Sequence, residues 1–306
     1  MKLTTTTSDF RRYTDDYFEQ LTYVKEAGFR YIDLSLYTLK KDDPLFYQEN
    51  WREYVGKIRN FAEDNGLSFV QAHGPNVNCI WEDPGSYEDA VWKSKRAIEI
   101  CSMLDIPNVV IHAGYNEEVT DRDEWFEANR RFFAELFEDM DRFGVNVLVE
   151  NGTKANAPYW YYLISGQDMI DFVKYVNHPR FHVCWDTGHA NIEGPQYQQI
   201  MDLGEELYAI HFADNRGMQD EHIIPFMGTL NIDEVMHALK DVGFRGPLTF
   251  EAESVPRASS SWLGRRHEFP QDTRLLDAPL QLRREMERYL YMTGEYILKT
   301  YGCFEE

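Results

Sequence analysis

Cysteine is sparse in this chain. Four occur in 306 residues (Cys79, Cys101, Cys184 and Cys303), scattered and with no Cys-x-x-Cys pair. That argues against a disulfide scaffold and a zinc–thiolate site, and a reduced, cytoplasmic setting is expected. Long hydrophobic runs are also missing. None approaches the roughly 20 residues that span a bilayer, so no membrane partner is expected. The opening "MKLTTTTSDF" lacks the apolar core of a secretion leader. Basic blocks are absent: Lys and Arg total 31 against 52 Asp and Glu, for a net charge of −21. Nucleic-acid binding rests largely on Lys and Arg neutralising phosphates, so no nucleic-acid partner is expected. No Pro/Ser/Gly-rich linker or low-complexity tract divides the chain. One domain over residues 1–306 is expected, a length normal for a single α/β barrel.

What the chain does have is a rhythm of short apolar runs ending in metal-binding residue types. "FVQAH" ends at His73, "VVIH" at His112, "VLVE" at Glu150, "HVCWD" at Asp186, "YAIH" at His211 and "LTFE" at Glu251. A carboxylate or imidazole at the tip of a buried strand is costly unless paired or bound to a metal. Six of them point to one polar cluster where parallel strands end together. The pattern predicts strands at about 2–7, 30–36, 67–73, 108–113, 145–151, 181–186, 207–213 and 247–252. Helices are predicted between them at about 10–28, 47–65, 87–104, 122–143, 167–177, 196–205 and 231–243, with a last one at about 279–300. Glycine often marks the joint from helix to strand, as in "EAGFRYIDLSL" and "RFGVNVLVEN". Alternating strands and helices imply right-handed βαβ units and a parallel sheet. Eight units with polar strand ends predict an α/β fold, a (β/α)₈ TIM barrel with its site at the C-terminal ends of the strands. An open doubly wound sheet fits less well, because it concentrates its site at one switch point. The polar segment at about 254–277 follows the last strand, where it could cover the barrel mouth or contact a second copy in a homo-oligomer.

Residue by residue, Glu150 shares a strand face with Leu148, so Leu148 should pack inside the barrel with Glu150 above it. Glu251 closes the last strand, with Glu253 as its rival. Asp186 belongs to "CWDTGHAN", where Gly188 would permit a sharp turn returning His189 to the same centre. His211 follows the apolar "LYAI". Asp220 and His222, in "DEH", would share one side of an extended loop and are possible additional ligands of metal or substrate. Arg216 could hold a substrate oxygen or pair with a carboxylate. His73 and His112 could line the pocket, ligate metal or contact substrate. His178, His182, His237 and His267 read as surface or structural.

These motifs resemble the xylose-isomerase-like barrel superfamily. The resemblance is carried by "VLVEN", "CWDTGHAN", "AIHFADN", "DEHIIPFMGTLNIDEV" and "LTFEAE", and runs from about residue 20 to 255. The superfamily includes sugar isomerases, keto-sugar 3-epimerases, inosose dehydratases, hydroxypyruvate isomerases and AP endonucleases of the endonuclease IV type. The epimerase resemblance implies one divalent cation held by Glu150, Asp186, His211 and Glu251, with His189 and Arg216 contacting substrate. The family's "PGEG"-like segment reads "PFMGTLN" here, a departure that blurs any narrower assignment.

Three carboxylates and one imidazole suit Mn²⁺, Mg²⁺ or Co²⁺, with Zn²⁺ also possible. The expected activity is isomerisation or epimerisation of a small sugar or related polyhydroxy carbonyl compound. Glu150 and Glu251 would move protons next to the carbonyl through an enediolate. A dehydratase on an inosose-like substrate could use the same enediolate. A zinc-dependent AP endonuclease-type phosphodiesterase is a further reading. Its ligand set has candidates throughout: His73, His112, Glu150, Asp186, His189, His211, Asp220, His222 and Glu251. A non-catalytic sugar-binding barrel is the last. Trp81 and the "PYWYY" run from Pro158 to Tyr162 offer rings that could cover a sugar face.

Overall fold

The computed structural model describes residues 1–37, 42–79, 84–155, 161–252 and 278–305. Eight parallel strands close into a barrel in chain order: β1 Leu3–Thr6, β2 Tyr31–Ser35, β3 Ser68–His73, β4 Asn108–Val110, β5 Asn146–Glu150, β6 Phe181–Asp186, β7 Leu207–Phe212 and β8 Leu248–Phe250. All eight fall within the strand ranges predicted from sequence. The helices are α1 Tyr17–Ala27, α2 Trp51–Asp64, α3 Pro84–Met103, α4 Arg122–Ala134, α5 Phe137–Phe143, α6 Gly166–Val176, α7 Thr187–Glu193, α8 Tyr197–Leu203, α9 Ile232–Asp241 and α10 Leu280–Thr300.

Local chemistry sets several boundaries. Asp16 caps α1 by accepting from the Phe18 N–H, so the helix starts later than its apolar pattern suggests. A short 3-10 helix over Thr7–Phe10 takes up the chain before it. Asn231 caps α9, its side chain accepting from the Glu234 N–H. The helix expected at 122–143 divides into α4 and α5, but the break is slight: Glu135 and Leu136 keep right-handed helical dihedrals. The short helix α7, directly after β6, was not anticipated. The segment expected as a loop at 254–277, together with Glu253, Trp81, Pro158 to Trp160 and His267, lies outside the described residues.

Two faces of each strand make two layers. Val109, Val147, Val149, Trp185 and Ile210 join the main core between sheet and helices. Val110, Leu148, Cys184 and Ala209 form a separate, fully buried cluster of alternate residues, facing inward. Each lies two residues before a predicted site residue: His112, Glu150, Asp186 and His211. The apolar ring is therefore the floor on which the polar ends stand.

One ion network ties α10 to the start of the barrel. The Arg283 guanidinium lies 2.7 Å from Asp9 and 2.6 Å from Glu287. Thr5 donates its hydroxyl to Glu287 at 2.9 Å. All four residues are buried.

Candidate functional site

Glu150, Asp186, His211 and Glu251 converge from β5, β6, β7 and the end of β8. Each offers one ligand atom, and these atoms lie within 4.8 Å of one another. His211 Nδ1 stands 2.9 Å from Glu150 Oε1 and 3.0 Å from Glu251 Oε2. Asp186 Oδ2 is buried with no hydrogen-bond partner among the described residues. Buried acceptors in that condition are costly. Three carboxylates and one imidazole, with that unsatisfied oxygen among them, make a donor set that fits a divalent cation.

Three further groups adjoin this one, His73/His211/Glu251 among them. His73, His112 and Glu150 bring ligand atoms within the same 4.8 Å limit, and so do His189, Asp220 and His222. His112 Nε2 lies 2.9 Å from Glu150 Oε2 and 3.2 Å from His73 Nε2. His73 stacks on His211 with ring centroids 5.6 Å apart.

The loop geometry departs from the sequence reading in two ways. Gly188 does not make a left-handed turn. Instead Asp186 caps α7, its Oδ1 accepting from the His189 N–H at 2.5 Å. Gly188 sits in the first helical turn, where a Cβ would come within 3.3 Å of Ala213 and of Asp186 itself. His189 still returns to the centre. Its Nδ1 bonds the Asn151 carbonyl at 2.8 Å and its Nε2 lies 3.2 Å from Asp220. Second, Asp220 and His222 meet without an extended segment. His222 has φ 47°, and its imidazole spans Asp220 at 2.9 Å and the Glu251 carbonyl at 3.0 Å. A left-handed histidine is strained by roughly 1–3 kcal/mol. Of the two roles open to Arg216, the carboxylate pairing is the one seen: it turns to solvent and pairs with Glu221 at 3.0 Å, outside the cavity lining among the described residues, so the substrate contact that the resemblance implies is not made.

Burial and neighbours set the ionisation of the cluster. Burial alone would raise Glu150, but the His211 and His112 imidazoles hold it well below the usual carboxylate range. Glu251 behaves alike, its rise on burial overcome mainly by His211, down to about 2. Asp186 is pushed up to about 6 by burial, with His189 opposing and Glu150 reinforcing. His73 is pushed down to about 4 by burial and by His112. His189 rises to about 10, because Asp186 and Asp220 outweigh burial.

The cavity above the cluster measures about 370 Å³. Its lining includes His73, His112, Glu150, His189, Asp220, His222 and Glu251. Asp186 and His211 are buried beside it. Tyr161, from the aromatic run after β5, also lines it, whereas Tyr162 donates to the Thr120 carbonyl. Of the histidines read as structural, His182 bonds Glu206 at 2.6 Å and stacks on Tyr208. His178 stacks on Phe137.

Several site residues escaped the sequence reading. Gln71 lies 2.9 Å from His211 Nε2 and donates to Asp33 at 3.1 Å. Asp33 is pushed up to about 6 by burial, against the pull of His211. The signal was available: Gln71 is two residues before His73 on one strand face, and Asp33 interrupts an apolar strand. Asn151 holds Asp186 in place by accepting from its backbone N–H at 2.7 Å. Gly228, the glycine kept in "PFMGTLN", passes so close to Asp214 that a Cβ would collide at 2.2 Å.

The profile of the xylose isomerase-like TIM barrel family matches residues 21–278. The chain belongs to that family. Several proteins resemble it along most of its length. A D-psicose 3-epimerase from Enterocloster bolteae is 24% identical over 77% of this chain and 76% of its own. A ketose 3-epimerase from Arthrobacter globiformis is 29% identical, over 75% of each chain. Among solved structures, the D-psicose 3-epimerase with D-tagatose from Clostridium cellulolyticum H10 superposes with a TM-score of 0.76 at 20% identity, covering 97% of this barrel and 99% of that one. No described helix of the present barrel is long and apolar enough to cross a membrane.

Proposed function

We propose that this chain is a divalent-metal-dependent isomerase or epimerase of a ketose-like substrate. Membership of a family whose similar relatives are sugar epimerases supports the enzyme class. The observation that carries the metal and the chemistry is the convergence of Glu150, Asp186, His211 and Glu251 within 4.8 Å. Those four residues would hold the ion. A divalent cation bound there would supply Lewis acidity toward the substrate's carbonyl and a neighbouring hydroxyl.

The protein's own groups then do the rest. Glu150 and Glu251 stand on β5 and β8, three strands apart around the barrel. One carboxylate can therefore take a proton from one face of the carbon next to the carbonyl while the other returns it to the opposite face. Each positioned base is worth about 10²–10⁴ in rate. His189 is oriented by Asn151 and Asp220, so its ring is held to meet a substrate hydroxyl from the side of β6. A dehydratase would share the first proton transfer and differ in expelling a hydroxyl afterwards.

The test is solvent deuterium uptake next to the carbonyl of D-fructose, D-psicose, D-tagatose and an inosose, using protein reconstituted with Mn²⁺. Uptake by at least one of them is expected. No uptake by any would overturn this reading.

A second reading has one specific observation in its favour. The additional three-residue groups, His73/His112/Glu150, His73/His211/Glu251 and His189/Asp220/His222, bring the total with the central four to nine ligand-type residues. Imidazole-rich groups suit zinc, and the resemblance to the AP endonuclease branch includes such a set. Three zinc ions per chain with cleavage of an abasic-site duplex would favour it. The net charge of −21 weighs against a nucleic-acid substrate.

A further inference from the structure

The substrate cavity is acidic. Asp33, Glu150, Asp220 and Glu251 all contribute to its wall. Against them the described lining has one permanent cation, Arg11, which ends the 3-10 helix after β1. This arginine is not spent on any of those carboxylates. Its Nη1 donates to the Tyr37 carbonyl, and its guanidinium lies 5.3 Å from the centroid of the Tyr37 ring. Among the described residues it has no ion-pair partner. Tyr37 itself packs edge-on against His73, with centroids 5.4 Å apart. The arginine is thus held in a set orientation on the rim, by a ring that leads directly into the metal-type cluster.

A guanidinium carries five N–H donors in a planar fork that matches a carboxylate or phosphate bidentately. Here one donor is committed to the Tyr37 carbonyl. In a chain of net charge −21 an arginine would be expected to find a carboxylate; most other arginines do, including Arg216 with Glu221. A neutral sugar can be held by hydroxyl-bonding carboxylates, amides and histidines, which this cavity already has. An unspent fixed cation in an acidic cavity is the arrangement that an anionic group on the ligand requires. We infer that the substrate is a keto-sugar bearing an anionic terminus, a carboxylate or a phosphate, which Arg11 binds while the reacting carbon lies between Glu150 and Glu251. The cavity, about 370 Å³, is of the size that takes such a ligand. β1 pairs with β8, the strand before Glu251, so both ends of the ligand are served by neighbouring barrel strands.

This inference rests on the keto-sugar reading of the site, and its test is a binding measurement that does not need turnover. Titration calorimetry on Mn²⁺-reconstituted protein would compare D-fructose, D-fructuronate and D-fructose 6-phosphate. At least one anionic ligand should bind tenfold or more tightly than D-fructose, and the two anions tell carboxylate from phosphate. In Arg11→Met the ratio of anionic to neutral affinity should fall close to one, and Arg11→Lys should recover part of it. The preference should also shrink as salt is raised. Equal affinities for all three ligands, or a ratio unchanged in Arg11→Met, would overturn the inference. Lack of deuterium uptake alongside a preserved anionic preference would instead sink the proposed reaction and leave the Arg11 subsite standing.

Discussion

His211 Nδ1 lies 2.9 Å from Glu150 Oε1, across 61 residues of sequence. The same nitrogen lies 3.0 Å from Glu251 Oε2. In the proposed reading, a cation shared by these groups would take the place of a proton shared between the imidazole nitrogen and the two carboxylates. Chelation should therefore abolish proton exchange with keto-sugars, and one equivalent of Mn²⁺ or Co²⁺ should restore it. A bound ion at a hundred times its Kd adds about 2.7 kcal/mol of stability, so melting temperature should fall on chelation. Elemental analysis checks the count. One ion per chain is expected for an epimerase, and three zinc ions would shift the balance to the phosphodiesterase reading.

Glu150 and Glu251 should be separable by chemistry. If they serve opposite faces, Glu150→Gln and Glu251→Gln should each lower interconversion of the two epimers by about 10²–10⁴-fold. Each variant should keep solvent exchange with one epimer and lose it with the other. Metal content is measured in parallel, because both residues are also ligand candidates. Equal loss of exchange with both epimers, at full metal occupancy, would assign the proton transfers to one base.

The barrel was legible because its strands are nearly all apolar and end on polar residues. Leu148 below Glu150 follows from the two-residue period alone, and the structure puts Leu148 in the inner ring. What the sequence hid is local geometry that depends on distant partners. Gly188 looked like a turn, but Asp186 uses its carboxylate to start a helix, so the chain needs no left-handed residue there. His222 looked extended, yet its left-handed backbone is held by the Glu251 carbonyl, 29 residues away. Arg216 and Arg11 are both arginines near strand ends. Their opposite fates turn on Glu221 in one case and the Tyr37 carbonyl in the other, which no spacing rule foretells.

Charge also ties the outer helices together. Glu127 on α4 accepts from Arg130 at 2.9 Å, from Arg131 at 3.2 Å and from the Tyr175 hydroxyl of α6 at 3.1 Å. Those donors, Arg130 foremost, hold its carboxyl down at about 2. A depressed carboxylate stabilises the fold above its unfolded value. That contribution fades as pH falls from the ordinary glutamate range through about 2. Carbon-13 detected titration of Glu127 should give a midpoint near 2, and Arg130→Gln should raise it. A midpoint in the ordinary glutamate range would show the donors to be screened by solvent.

Arg283 offers the sharpest test of the scaffold. Its guanidinium is 2.7 Å from Asp9 and 2.6 Å from Glu287, all three residues being almost fully buried. Replacing it by methionine keeps much of the volume and leaves two buried carboxylates facing each other. Breaking a buried ion group by removing one partner costs about 3–5 kcal/mol. Arg283→Met should lose stability on that scale in urea unfolding. The triple change Arg283→Met, Asp9→Leu, Glu287→Leu should recover most of the loss, because it removes the stranded charges together with their partner. The site cluster lies on other strands, so metal binding should survive in the triple variant. A single variant as stable as the parent would mean that these carboxylates find other donors and that the network does not anchor α10.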